Sequence, residues 1–145
     1  MSISENVLSE SAANVIGAIS GFLNEPGEPL MGLDMTEGEA VALVKQHFPD
    51  KPYCVVANWM LIELDVDEVS KKAVKRLGSE PYLVYAHKVL QDSRGRFHRG
   101  DWVRSTLQMS FTQGGLFETV NTVYVLLGQG CTKVSKPEVV MSIHG

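Results

Sequence analysis

At 145 residues, 44% hydrophobic and 21% charged, the chain has the size and composition of one globular domain, expected over residues 1–145, and disorder is not expected except at the ends. A net charge of −4 and a pI near 5.5 argue against a domain whose whole surface is a basic footprint for nucleic acid. The N-terminal apolar run from Val7 to Leu23 is broken by Glu10, Ser11 and Asn14, so neither a secretion signal nor a membrane span is expected, and the expected location is the cytoplasm.

The net charge conceals a split. Residues 1–50 hold eight acids and one base, a net of −7, whereas residues 71–104 hold nine bases and three acids, a net of +6. Either the two segments attract each other within one fold or they address different partners. Cys54 and Cys131 are far apart and belong to no C-x-x-C pair, and both are expected as reduced thiols.

The first helix is predicted over residues 6–23, where Leu8, Ala12, Val15, Ile16, Ile19, Phe22 and Leu23 recur at helical spacing. Asn24 to Gly32 is a turn-rich connector. Thr36-Glu37-Gly38-Glu39 is a capping box that opens a second helix with Ala40, Val41, Val44 and Phe48 inward, ended by Pro49 and Pro52. Residues 53–64 read as a long buried strand. A third helix follows, capped by Asp65, with Val66, Val69, Ala73 and Leu77 along one side and Gly78 as its stop. From Pro81 onward the chain reads as β: a strand over 82–91, a turn at Asp92–Gly95, a long strand over 97–112, a Gly114-Gly115 hairpin loop, a return over 116–127, a turn at Gly128–Gly130 and a last strand over 138–143. The expected fold is α+β, three N-terminal helices packed on a four- to five-stranded antiparallel sheet, with the C-terminal half mostly β.

A two-residue Gly114-Gly115 loop sets a register in which Met109 opposes Val120 and Val103 opposes Leu126 on a core face. The opposite face would carry Trp102, Arg104, Thr106 and Gln108 beside Asn121 and Thr119. Tryptophan and arginine are enriched at protein contacts, so Trp102, Arg104, Gln108 and Asn121 are the candidate binding residues, with Arg96 and Arg99 at the rim. The basic turn Arg94–Arg99, with Phe97 among its arginines, is where a nucleic acid would bind.

No H-E-x-x-H, EF-hand or zinc-ribbon spacing is present, and no cofactor or metal is expected. Gly128-Gln129-Gly130 lacks the third glycine and the following helix of a dinucleotide loop. An enzyme would have to assemble its site from scattered residues, of which Cys54, His87, Glu118 and Tyr124 are the candidates.

Arg96-Phe97, the stretch Gly100–Thr106, Leu116–Thr119 and Asn121–Gly128 together resemble a group of small uncharacterised bacterial and prophage proteins, over residues 81–130. The resemblance implies that the C-terminal hairpin is a shared module in a phage or accessory-genome setting, and it carries over no catalytic residue. The expected function is a non-enzymatic interaction protein of the bacterial cytoplasm, a phage or prophage accessory factor binding a host protein. The alternatives are the small enzyme and a nucleic-acid binder.

Overall fold

The computed structural model describes Gly17, residues 21–23 and residues 25–143. Most of the helix predicted over 6–23 lies outside them; Gly17 and residues 21–23 are helical. The elements that follow are β1 (Glu28–Met31), α1 (Glu37–His47), β2 (Tyr53–Leu64), α2 (Glu68–Arg76), β3 (Tyr82–Asp92), β4 (Val103–Arg104), β5 (Ser110–Thr112), β6 (Leu116–Glu118), β7 (Val123–Leu126), β8 (Gln129–Ser135) and α3 (Pro137–Met141).

The expected three helices on a small antiparallel sheet are replaced by one curled sheet of eight strands with few, short helices. The sheet is mixed. β2 pairs antiparallel with β3 along one edge, and along the other it runs parallel to β7 (Cys54 beside Tyr124) and then to β8 (Ile62 beside Lys133). The chain from 123 to 135 therefore does not turn at Gly128–Gly130. It continues along β2 with a kink at Gly128, whose φ is +72°.

β2 is buried on both faces, as its nearly unbroken apolar sequence requires. Its inner face carries Cys54, Val56 and Trp59, packed with Val84, Ala86, Val89, Val103, Phe117, Tyr124 and Leu126. Val56 and Trp59 are three apart and still share a face. Asn58 between them has φ +52°, a left-handed conformation that asparagine tolerates better than most residues and that resets the alternation. The outer face holds two clusters. Val55, Val123 and Val125 pack beneath Ala40 and Val44 of α1, and Met60, Ile62, Leu83 and Tyr85 pack beneath Val140 and Ile143 of the α3 segment. Two free cysteines occupy opposite faces: Cys54 in the inner cluster and Cys131 against the second outer one.

The expected long hairpin is also absent from the sheet. β5 and β6 are three residues each, with Phe111 opposite Phe117 and Thr112 opposite Leu116. Gln113 joins the loop in a left-handed conformation (φ +56°) beside Gly114 (φ +75°), so the register slips by one and Met109 and Val120 are exposed rather than paired in the core. The predicted return strand 116–127 folds back on itself. Thr119 Oγ1 accepts from the Thr122 amide at 3.2 Å and donates to the Thr122 carbonyl at 3.0 Å, and the tight turn it closes pairs β6 with β7. The stretch predicted as the last strand is the helix α3, with Pro137 at its first turn. Among the described residues no helix is long and apolar enough to cross a membrane.

Candidate functional site

The element that stands apart from this packing is α2, in the connection between β2 and β3. Both of its ends are fixed to the sheet. Asp65 N–H donates to the Ser135 carbonyl, Leu64 N–H to the Pro81 carbonyl and Glu80 N–H to the Gln108 carbonyl, each at 2.8 Å. The N-cap is Asp67, two residues beyond the predicted Asp65; its carboxylate accepts from Ser70 N–H at 2.7 Å, and that bond holds its pKa below the ordinary value. At the other end Gly78 takes φ +78°. Its N–H donates to the Lys75 carbonyl and that of Ser79 to the Val74 carbonyl, the paired bonds of a Schellman cap.

With both caps satisfied the helix buries none of its residues. Lys71 and Val74 turn partly toward the body, while Val69 and Leu77 are 79% and 84% exposed and Ala73 between them is exposed as well. Val69, Ala73 and Leu77 stand four apart and form one stripe. Lys72 and Arg76, also four apart, flank it. Lys71 reaches Glu68 at 3.6 Å; among the described residues no carboxylate lies within ion-pair distance of Lys72, Lys75 or Arg76.

The binding residues read from the sequence are not brought onto one surface. Trp102 and Arg104 do share the outer face. Trp102 is half-buried and stacks on Tyr85 with ring centroids 5.8 Å apart, and the Arg104 guanidinium donates to the Val140 carbonyl at 3.1 Å, tying down α3. Gln108 bridges to Glu80 in the sheet. Asn121 is exposed in the β6–β7 turn. Arg99 reaches Glu37 at 3.3 Å and the Leu90 carbonyl at 3.1 Å, a contact that joins the acidic head to the basic body.

Arg96 belongs to a group the sequence did not disclose. Asp92, legible only as a turn residue, buries its side chain completely and accepts from Arg96 Nη2 at 2.7 Å, Nε at 3.0 Å and the Arg96 backbone N–H at 2.7 Å. Arg96 Nη1 donates onward to Thr122 Oγ1 at 2.8 Å. Cys54 and Tyr124 lie beside this pair. Burial, with the Asp92 charge, pushes the Cys54 thiol up to about 12, against the opposing pull of Arg96. Burial and the Cys54 thiolate do the same to Tyr124, also to about 12. Both therefore stay protonated and poorly nucleophilic at neutral pH.

The other two scattered candidates do not join them. His87 stands on the outer face against Tyr85, with ring centroids 4.9 Å apart, largely open to solvent, and the partial desolvation of its ring, then the Lys133 charge, lowers its pKa. It lies five residues along β3 from Asp92, the partner of Cys54, or about 17 Å at strand rise. Glu118 accepts from Lys51 Nζ at 2.7 Å and Ser110 Oγ at 2.8 Å. Burial alone would raise its pKa, but those bonds and the Lys51 charge bring it below the ordinary value.

A cleft of about 770 Å³ opens beside the far end of β2, walled by Phe22, Pro26, Leu61, Glu63, Tyr82 and Lys133. Within it Tyr82 donates to Glu63 at 3.0 Å, Lys133 donates to the Phe22 carbonyl with its ammonium 4.9 Å from the Phe22 ring, and Glu25 and Glu28 also line it.

Fold and surface together define a small mixed α+β protein, one curled sheet carrying an outlying basic amphipathic helix. The chain belongs to the family described as a domain of unknown function, DUF6957, whose model matches residues 31–142. No curated protein and no solved structure matches it.

Proposed function

We propose that this chain is a non-enzymatic interaction protein that holds a protein partner on α2. The observation that carries the reading is a fully capped helix presenting Val69, Ala73 and Leu77 to solvent. An exposed apolar stripe on a fixed helix suits the mode in which an amphipathic helix lays its apolar face into a partner's groove. The setting we propose is a bacterial cytoplasm, with a host protein as the partner of a phage or prophage accessory factor; the resemblance of residues 81–130 to small uncharacterised bacterial and prophage proteins supports it. The small-enzyme alternative has less support, because Cys54 and Tyr124 are buried with raised pKa values, His87 lies farther along β3, and Glu118, paired with Val123 next to Tyr124, alternates to the opposite face of the sheet. On the interaction reading Arg104, Arg96 and Arg99 brace the scaffold, through Val140, Asp92 and Glu37 respectively.

The test is affinity purification of the tagged chain from its native cells, comparing wild type with Val69→Ser/Leu77→Ser and with Trp102→Ala. The α2 variant should melt within about 0.5 kcal/mol of wild type, as surface changes do, and lose its partner. Trp102→Ala should melt earlier, because it removes the stack on Tyr85, while the protein that remains folded keeps its partner. Unchanged capture by the folded α2 variant would refute the reading.

A further inference from the structure

Resting on the reading of α2 as a docking element, we infer that its partner is a protein presenting an apolar groove with an acidic rim. The stripe defines the floor of the contact. Val69, Ala73 and Leu77 lie within about 80° of one another around the helix at 100° per residue, and two of them are more than three-quarters exposed. The rim follows from the flanking charges. Lys72 and Arg76 occupy the next sector around the helix, Lys75 the one beyond, and none of the three has a carboxylate within ion-pair distance among the described residues. Against the single acid Glu68, the four bases of the helix leave it a net of +3. An apolar floor beside such a block of unpaired cations is complemented by carboxylates along the edge of a hydrophobic groove, an arrangement that steers encounter and fixes register.

Two other anionic surfaces fit less well. A phosphate backbone would use the lysines and arginine but has no use for an aliphatic stripe. A bilayer binds amphipathic helices in proportion to the apolar area inserted and favours tryptophan, phenylalanine and leucine; here the stripe is one valine and one alanine on a helix of nine residues, with one leucine at its C-cap. The helix is tied to the sheet at both ends, so little conformational freedom is lost when it seats, which suits a preformed protein groove.

The probe is a designed helical hairpin whose groove is lined by leucine and rimmed by glutamate, with a second hairpin rimmed by lysine. Titration into the isotopically labelled full chain, followed by amide chemical shifts, should give shifts centred on residues 66–78. The glutamate-rimmed hairpin should bind about tenfold or more tightly than the lysine-rimmed one, and its affinity should fall as salt rises. K72E/R76E should reverse that preference while leaving the remaining amide shifts in place. No preference between the hairpins, a preference unmoved by K72E/R76E, or tighter binding to phosphatidylglycerol vesicles or single-stranded DNA would overturn the inference. Capture from native cells separates docking on α2 from recognition of an acidic rim. A partner lost by Val69→Ser/Leu77→Ser but kept by K72E/R76E overturns the acidic rim and leaves docking on α2 standing; a partner kept by both overturns docking itself.

Discussion

Replacing Asp92 with asparagine tests whether the buried pair with Arg96 holds the open end of the sheet. The Asp92 side chain is fully buried and that of Arg96 is 35% exposed. Asparagine keeps the size of the side chain but removes the charge, and it turns one acceptor facing the guanidinium into a donor. Breaking a buried pair costs about 3–5 kcal/mol; because Arg96 is partly hydrated, the expected loss is about 2–4 kcal/mol, or roughly 6–12 °C in Tm for a chain of this length. The loss should depend on pH. Burial alone would raise the Asp92 pKa, but the side-chain and backbone hydrogen bonds from Arg96, its charge and the Arg94 backbone outweigh it and leave the carboxyl below its ordinary value of 3.8. A carboxyl lowered in the folded state contributes stability that is fully present above the unfolded pKa and is lost as pH falls through the folded one. The gap between wild type and Asp92→Asn should therefore be widest above about pH 5 and close as the pH drops below about 3.8. Urea unfolding followed by the fluorescence of Trp59, buried in the inner core, gives both quantities. A gap under about 0.5 kcal/mol near neutral pH, or one of equal size in acid, would refute the reasoning.

Gly130→Ala should destabilise by about 3 kcal/mol or more, because an added Cβ would overlap the Trp59 indole carbons; thermal melts should show Trp59→Phe, with its smaller ring, recovering part of the loss in the double variant. Thiol titration of the native protein should find Cys54 unreactive, since it is fully buried with a pKa pushed up to about 12, and the half-buried Cys131 slow; in denaturant both should react. A fast-reacting Cys54 in folded protein would contradict the packed inner face.

Legibility in the sequence held where local chemistry alone decides structure. The capping box forms as written, with Glu39 N–H donating to Thr36 Oγ1 at 3.1 Å and Thr36 N–H to Glu39 Oε1 at 3.0 Å, and the run from Tyr53 to Leu64 is one strand. It failed where a few polar residues redirect the chain. Thr119 and Thr122 read as β-formers, yet their hydroxyl and backbone groups close a turn, and this divides one expected strand into β6 and β7. The hairpin register turned on a single residue, Gln113, adopting a left-handed conformation. Lys136-Pro137-Glu138 carried a helix-start signal that the apolar residues after it obscured. The clearance at Gly130 for the Trp59 indole is a long-range fact that no window of sequence contains, whereas Asp92 and Arg96 stand only four apart and what the sequence did not disclose is the complete burial of the Asp92 side chain. The candidate surface was legible only in part: the stripe of α2 was visible, but that it faces solvent depends on how β2 and β3 are joined.

That exposure bears on why α2 has the sequence it has. α1 covers the sheet, burying Ala40 and Val44 completely, and its apolar residues are accounted for by the core. α2 has an apolar stripe of similar spacing whose members contribute almost nothing to burial. Nine residues are too few for a stable isolated helix in water, so its persistence rests on the Asp67 cap, the Gly78 terminus and the anchored strand ends, none of which requires Val69 or Leu77 to be apolar. Serine or lysine at those positions would serve the fold as well and expose less hydrophobic surface. On the proposed docking reading, apolar residues that the fold does not need, on a helix fixed at both ends, find their use in contact with a partner. Because the stripe is narrow, it would supply only part of the binding energy, leaving the flanking cations to steer encounter and select the partner.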